Sequence, residues 1–171
     1  MDAGIEINGK NILILGSGGA ARAISFTLAR NTQLGKLSIL DVDGPMLQQL
    51  TTDLKAGTDA SVQSELLNEN TLASAMKIAD LIIHCTPVGM HPKENASLIP
   101  AELFRAEQVV FDIVYTPLET KLLAEARSYG LKVIYGVEMF INQAVLQFER
   151  FTGVDAPAEI MRRVVMEHLE S

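Results

Sequence analysis

Residues 11–24 read NILILGSGGAARAI, an unbroken apolar run that stops on three glycines and leaves into a helix of small residues. A short β-branched run without polar alternation is a strand buried on both faces, which implies layers above and below it. The same alternation then recurs along the chain. KLSIL (36–40) predicts a second strand ending at Asp41, and GPMLQQLTTDLKAG (44–57) a helix with Pro45 in its first turn and Gly57 after its end. ASVQSE reads as a weak third strand and NENTLASAMKIA as a helix with Asn68 as its cap. DLIIHCT (80–86) and QVVFDIVY (108–115) predict strands four and five, separated by the loop PVGMHPKENASL. PLETKLLAEARSYG predicts a helix closed by Gly130, LKVIY a sixth strand, and VEMFINQAVLQFERFTG and PAEIMRRVVMEHLE two final helices.

Strands joined by helices at this spacing lie parallel, linked by right-handed crossovers. The expected fold is α/β: a doubly wound, Rossmann-like sheet, mostly parallel, of about six strands in the order 3-2-1-4-5-6, with helices on both faces. A length of 171 residues, 48% of them hydrophobic and 20% charged, suits one soluble domain. Its 14 basic and 21 acidic residues leave a charge of −7, which argues against a nucleic-acid or anionic-membrane partner. The lone Cys85 forms no internal disulfide and is compatible with a reducing, cytoplasmic setting. No apolar run approaches the roughly 18 residues of a membrane helix. The start MDAGIEINGK has no signal-peptide pattern; residues 1–10 read as linker-like, ahead of a domain over 11–171.

In such a sheet, ligands bind beyond the carboxyl ends of the strands where the strand order reverses. The first strand ends there in Gly16-Ser17-Gly18-Gly19-Ala20-Ala21, a G-x-G-x-x-A pattern. Gly16 permits the tight turn, Gly18 lets backbone approach a pyrophosphate, and Ala21 allows close packing of helix on strand. Free N–H groups at the helix start favour an anion. A glycine turn alone also serves as a plain connector. The strand before, the helix after and Asp41, 25 positions beyond Gly16, make the dinucleotide reading the stronger one. A carboxylate at Asp41 accepts hydrogen bonds from the adenine-ribose hydroxyls and repels a 2′-phosphate, favouring NAD over NADP; its alternative is a surface aspartate in a βα turn. Arg22 is either a phosphate neighbour or a solvated helix arginine.

Three further segments end at the same rim: HCTPVGMHP, DIVYTPLET and YGVEMFINQA. With GSGGAARA, LLAEARSYG and QFERFTG they appear in the order found in the carboxyl-terminal, cofactor-binding domain of the shikimate/quinate dehydrogenase family, which the chain resembles from about residue 9 to 157. The resemblance implies that Gly16 to Ala21 bind the pyrophosphate and Asp41 the adenine ribose. It implies that Thr86, Pro87 and Val88 line the cofactor, and that Ile113, Gly136 and Met139 face the nicotinamide ribose and ring. It also implies that Tyr115 and Gln143 reach a shikimate- or quinate-like acid. Read without it, Tyr115 is half-buried packing, Met139 is core filler, and Gln143, with Gln147, is a polar flank of a helix. The core stripe of that helix reads as Val137, Phe140, Ile141, Ala144, Phe148 and Phe151.

Two departures stand out. Many members are NADP enzymes with an Asn-Arg-Thr-like stretch after the second strand; here it is Asp41-Val42-Asp43. His84 stands where the family often has asparagine. His84, Cys85 and His91 lack a fourth ligand for a metal site. In the family a catalytic lysine–aspartate pair and a Ser-x-Ser clamp come from a substrate domain ahead of the glycine motif, and this chain carries no counterpart. Oxidising a secondary alcohol needs a base. Lys93, Glu94 and Lys121 are not tied by pattern to the nicotinamide end, and a tyrosine with a pKa of about 10 is a poor base at neutral pH. The expectation is therefore half an active site, working with a separate or excised substrate domain and inactive alone. The alternatives are a non-enzymatic dinucleotide-binding or sensing module, and a methyltransferase. Apolar residues of the last helices (Phe151, Ile160, Met161, Val164, Val165) suggest self-association into a homo-oligomer if left uncovered.

Overall fold

The computed structural model describes residues 4–169. Six strands, β1 (Asn11–Leu15), β2 (Lys36–Asp41), β3 (Val62–Leu66), β4 (Leu81–His84), β5 (Val109–Asp112) and β6 (Lys132–Ile134), form one sheet in the order β3-β2-β1-β4-β5-β6. Every pairing is parallel, so the expected mostly parallel sheet is parallel throughout. The crossovers are α1 (Gly19–Asn31), α2 (Gly44–Gly57), α3 (Glu69–Met76) and α4 (Lys121–Ser128); α5 (Gly136–Thr152) and α6 (Ala158–Leu169) follow β6. Residues 1–3 of the linker-like start and residue 170 of the last expected helix lie outside the described residues.

The period of two in β1 divides the core. Leu13 and Leu15 pack with α3 and α4 residues Leu72, Met76, Leu122 and Leu123 on one face. Ile12 and Ile14 pack with Ala21 of α1 and Leu47, Leu50 and Leu54 of α2 on the other. Burying each such side chain contributes roughly 1.5–3 kcal/mol, so both layers hold β1 at the centre of the sheet. Side chains set the helix starts. Asp43 accepts from the Met46 amide ahead of α2, Asn68 and Thr71 form a capping box on α3, and Thr120 accepts from the Leu123 amide on α4.

One expected helix face changes, the stripe of α5. On α1 the fully buried residues are Ala21 and Ser25, while Ala20, Ile24 and Leu28 are half-buried and turn toward α5. On α5 the buried residues are Gly136, Val137 and Ile141, whereas Phe140 is exposed and Phe151 is 86% exposed. The segment before β1 runs beside the sheet with Ile5 and Ile7 half-buried.

Candidate functional site

Strand order reverses between β1 and β4, and the segments leaving those two strands meet there. Gly16 has φ +108°, a region that favours glycine, and a Cβ on it would stand 2.7 Å from the Cys85 carbonyl oxygen. The glycine is thus required both by its torsion and by the closeness of the β4 exit. A Cβ on Gly18 or Gly19 would meet nothing within 4 Å, so the space before α1 is open. Gly18 is the N-cap of α1 and offers no side-chain cap, which leaves the first N–H groups of the helix available to a ligand.

Ser17 is buried and donates its hydroxyl to Asp41 Oδ2 at 2.6 Å, and the Asp43 amide donates to Asp41 Oδ1 at 3.1 Å. Burial alone would raise the Asp41 carboxyl, but the Ser17 hydroxyl and the amides of Asp43, Ser17 and Val42 outweigh it and hold the group below the usual carboxylate range. An ionised acceptor therefore ends β2. Gly16, Ser17, Gly18, Asp41, Thr86, Pro87 and Val88 line one cavity of about 390 Å³, whose walls also include Met46, Leu67, Cys85 and Leu98. It contains no lysine or arginine. Burial first, then the charge of Asp112, pushes the Cys85 thiol up to about 12, so it enters this wall as a neutral, unreactive group.

Gly19 and Ala20 face a second groove of about 510 Å³ between α1 and α5, shared with Met139 and Gln143. The glycine turn thus borders both spaces. Ala21 is buried against the sheet. Ile113, Gly136 and Tyr115 line neither space. Gly136 opens α5 against the end of β5, where a Cβ would lie 2.4 Å from the carbonyl oxygens of Ile113 and Val114. Tyr115 is partly exposed and stacks on Phe140, with ring centroids 4.6 Å apart at 22°. Arg22 turns away from the glycine loop to pair with Asp53 at 2.6 Å, tying α1 to α2.

A polar network beneath the cavity has no counterpart in the sequence reading. His84 Nδ1 lies 2.9 Å from Asp112 Oδ1 and His84 Nε2 lies 2.6 Å from Thr86 Oγ1. Asp112 Oδ2 accepts from Thr120 at 2.7 Å, and Oδ1 also accepts from the Val114 amide at 3.0 Å. The only available signal was a histidine in the apolar word LIIHC and an aspartate in VVFDIV, two polar residues at strand ends that must find partners once buried.

Comparisons with known proteins bear on this geometry. Residues 136–166 match the family described as Shikimate 5'-dehydrogenase C-terminal domain. A shikimate dehydrogenase (NADP(+)) of Methanosarcina mazei is 37% identical over the whole of this chain, which spans 60% of the relative's length. That of Moorella thermoacetica is 39% identical over 97% of the chain and 56% of the relative. The chain matches the carboxyl-terminal domain of the shikimate dehydrogenases. Among solved structures, shikimate 5-dehydrogenase from Listeria monocytogenes, in complex with shikimate and NAD, superposes with a TM-score of 0.89 at 28% identity, over 95% of this chain and 58% of that one. Quinate dehydrogenase from Corynebacterium glutamicum, in complex with NAD, gives 0.82 at 28% identity over 95% and 56%. The strand order of this chain agrees with its likeness to these structures. No helix among the described residues is long and apolar enough to cross a membrane.

Proposed function

We propose that this chain is the dinucleotide-binding part of an oxidoreductase that moves a hydride between the 3-hydroxyl of a shikimate- or quinate-like acid and a nicotinamide cofactor. The observation that carries the reading is the meeting, in one cavity at the β1–β4 reversal, of Gly16–Gly18, an uncapped helix start, Asp41 and Thr86–Val88. These groups suit a dinucleotide. Open space before α1 and free N–H groups accept the pyrophosphate, Asp41 takes ribose hydroxyls, and Met46, Leu67 and Leu98 offer apolar walls to a base. Gly19 to Ala21 continue the pyrophosphate turn, Ile113, Gly136 and Met139 serve the nicotinamide end, and Tyr115 and Gln143 serve the acid substrate. When bound, the nicotinamide supplies the hydride donor or acceptor.

The groove holding Met139 and Gln143 has no ionisable side chain among its lining residues. Removing the alcohol proton needs one. We therefore assign the base to a substrate-binding domain outside residues 11–171, with 1–10 as the connection to it, and this chain alone is inactive as a dehydrogenase. The matched relatives have room for such a domain, since the chain spans 60% of the first of them.

For the cofactor we infer NAD in preference to NADP. The relatives named above carry NADP(+) in their names, and among the similar solved structures the two named hold NAD while others hold NADP. In this chain the β2 end is Asp41-Val42-Asp43, and no cation lines the cavity to neutralise a 2′-phosphate. Titration with NADH and NADPH, followed by nicotinamide fluorescence, tests both parts. Saturable NADH binding, weaker NADPH binding and a narrowed gap in Asp41→Ala are expected. Tighter NADPH binding overturns the preference, and binding of neither overturns the cofactor assignment.

A further inference from the structure

We propose that His84, locked between Asp112 and Thr86, fixes the Thr86 hydroxyl as a hydrogen-bond acceptor toward the cavity, where it takes a ribose hydroxyl or carboxamide N–H of the bound dinucleotide and excludes phosphate oxygen. The inference rests on the dinucleotide reading and adds to it the direction of one hydrogen bond. His84, Asp112 and Thr120 are all at most 1% exposed, so no solvent completes their bonding. Their donors and acceptors must balance among themselves.

For a neutral imidazole at His84 the balance has one solution when followed from its closed end. Thr120 Oγ1 accepts from the Leu123 amide at 3.3 Å, so its proton goes to Asp112 Oδ2. Asp112 Oδ1 accepts from the Val114 amide, which leaves it an acceptor for His84 as well. A carboxylate receiving these donors takes an N–H from His84 Nδ1, and the neutral ring then presents a bare Nε2. At 2.6 Å from that nitrogen, Thr86 must supply the proton. One lone pair of Thr86 receives the Val88 amide at 3.2 Å. What Thr86 retains for the cavity it lines is a lone pair, with no proton to donate.

That polarity sorts the parts of the ligand. A phosphate oxygen is also an acceptor and gains nothing from Thr86, whereas a hydroxyl or amide N–H does. The uncapped start of α1 at Gly18 supplies N–H donors to the same cavity, so the cavity offers both donors and an acceptor to a nucleotide. His84 is here a positioning residue that acts through Thr86.

The test has two readouts on the full chain. In the unliganded protein, nitrogen NMR of the His84 ring is expected to show Nδ1 protonated and Nε2 bare; a protonated Nε2 overturns the proposal. For NADH, Thr86→Val is expected to weaken affinity roughly threefold to tenfold, the loss of one hydrogen bond, and Thr86→Ser to match the parent. Equal affinity of Thr86→Val and the parent overturns the proposal while the dinucleotide reading stands. If the parent binds no NADH, the dinucleotide reading itself fails, and the proposal falls with it.

Discussion

Gly16 concentrates two demands in one residue, a φ of +108° and a carbonyl oxygen 2.7 Å from where a Cβ would sit. Either demand alone disfavours a side chain. Left-handed torsion costs an L-residue about 1–2 kcal/mol, and the close oxygen belongs to backbone that cannot rotate away. Gly16→Ala is therefore expected to lower unfolding stability by at least about 2 kcal/mol, measured by urea melts, and to remove NADH binding. Its neighbour Gly18 behaves differently, because a Cβ there meets open space. That contrast was half legible in the sequence. The G-x-G-x-x-A spacing marks the turn, but which glycine serves torsion and which serves access depends on Cys85, whose backbone arrives from another strand. Asp41 was legible by its offset alone. Its partner Ser17 was not, since nothing in the spacing shows a hydroxyl turning back 24 positions to meet it.

Strands and crossover helices were readable because their apolar periods are local, and each element's own residues settle its type. What was not readable is which side of a terminal helix meets the rest of the molecule. Phe140 and Phe151 belong to the apolar stripe of α5, yet the sheet covers Val137 and Ile141 instead. The His84–Asp112 pair escaped for the same physical reason, joining β4 to β5 across 28 positions. α6 shows how a surface element is held without a buried residue. Arg162 of α6 meets Glu138 of α5 through two hydrogen bonds, one of 2.8 Å from Nη1 to Oε1 and a second from Nη2 to Oε2. The Arg162 hydrogen bonds, against the opposing effect of burial, hold the Glu138 carboxyl below the ordinary glutamate range. Its folded value thus lies below its unfolded one. The stabilisation is fully present above the ordinary value of about 4.3, and it is lost as pH falls through the lower folded value. Glu138→Gln removes this pH dependence, costs about 1 kcal/mol or less because the pair is partly solvated, and speeds hydrogen exchange in α6 at neutral pH. Unchanged exchange in α6 would assign its docking to apolar contact alone.

At the scale of the molecule, two surface properties oppose each other. The chain carries a charge of −7, which keeps copies apart. Against this, α6 has no fully buried residue, and Ile160 and Val164, one turn apart on it, are 53% and 56% exposed. Phe151 at the end of α5 and Val154 just beyond it are exposed as well. Apolar groups gathered in this way drive association when nothing covers them. Their attraction does not depend on salt, while the repulsion between acidic copies is screened within about 8 Å at physiological ionic strength. Light scattering should therefore show a mass that rises with protein concentration, and rises further as salt is added. Charging the patch with Phe151→Glu and Val164→Glu should hold the chain monomeric at both salt levels without lowering its melting temperature, because neither side chain is buried. A monomeric mass for the parent at high protein and high salt would mean that the patch is too dispersed to pair. Association that weakens with salt would instead point to charge pairing as its cause.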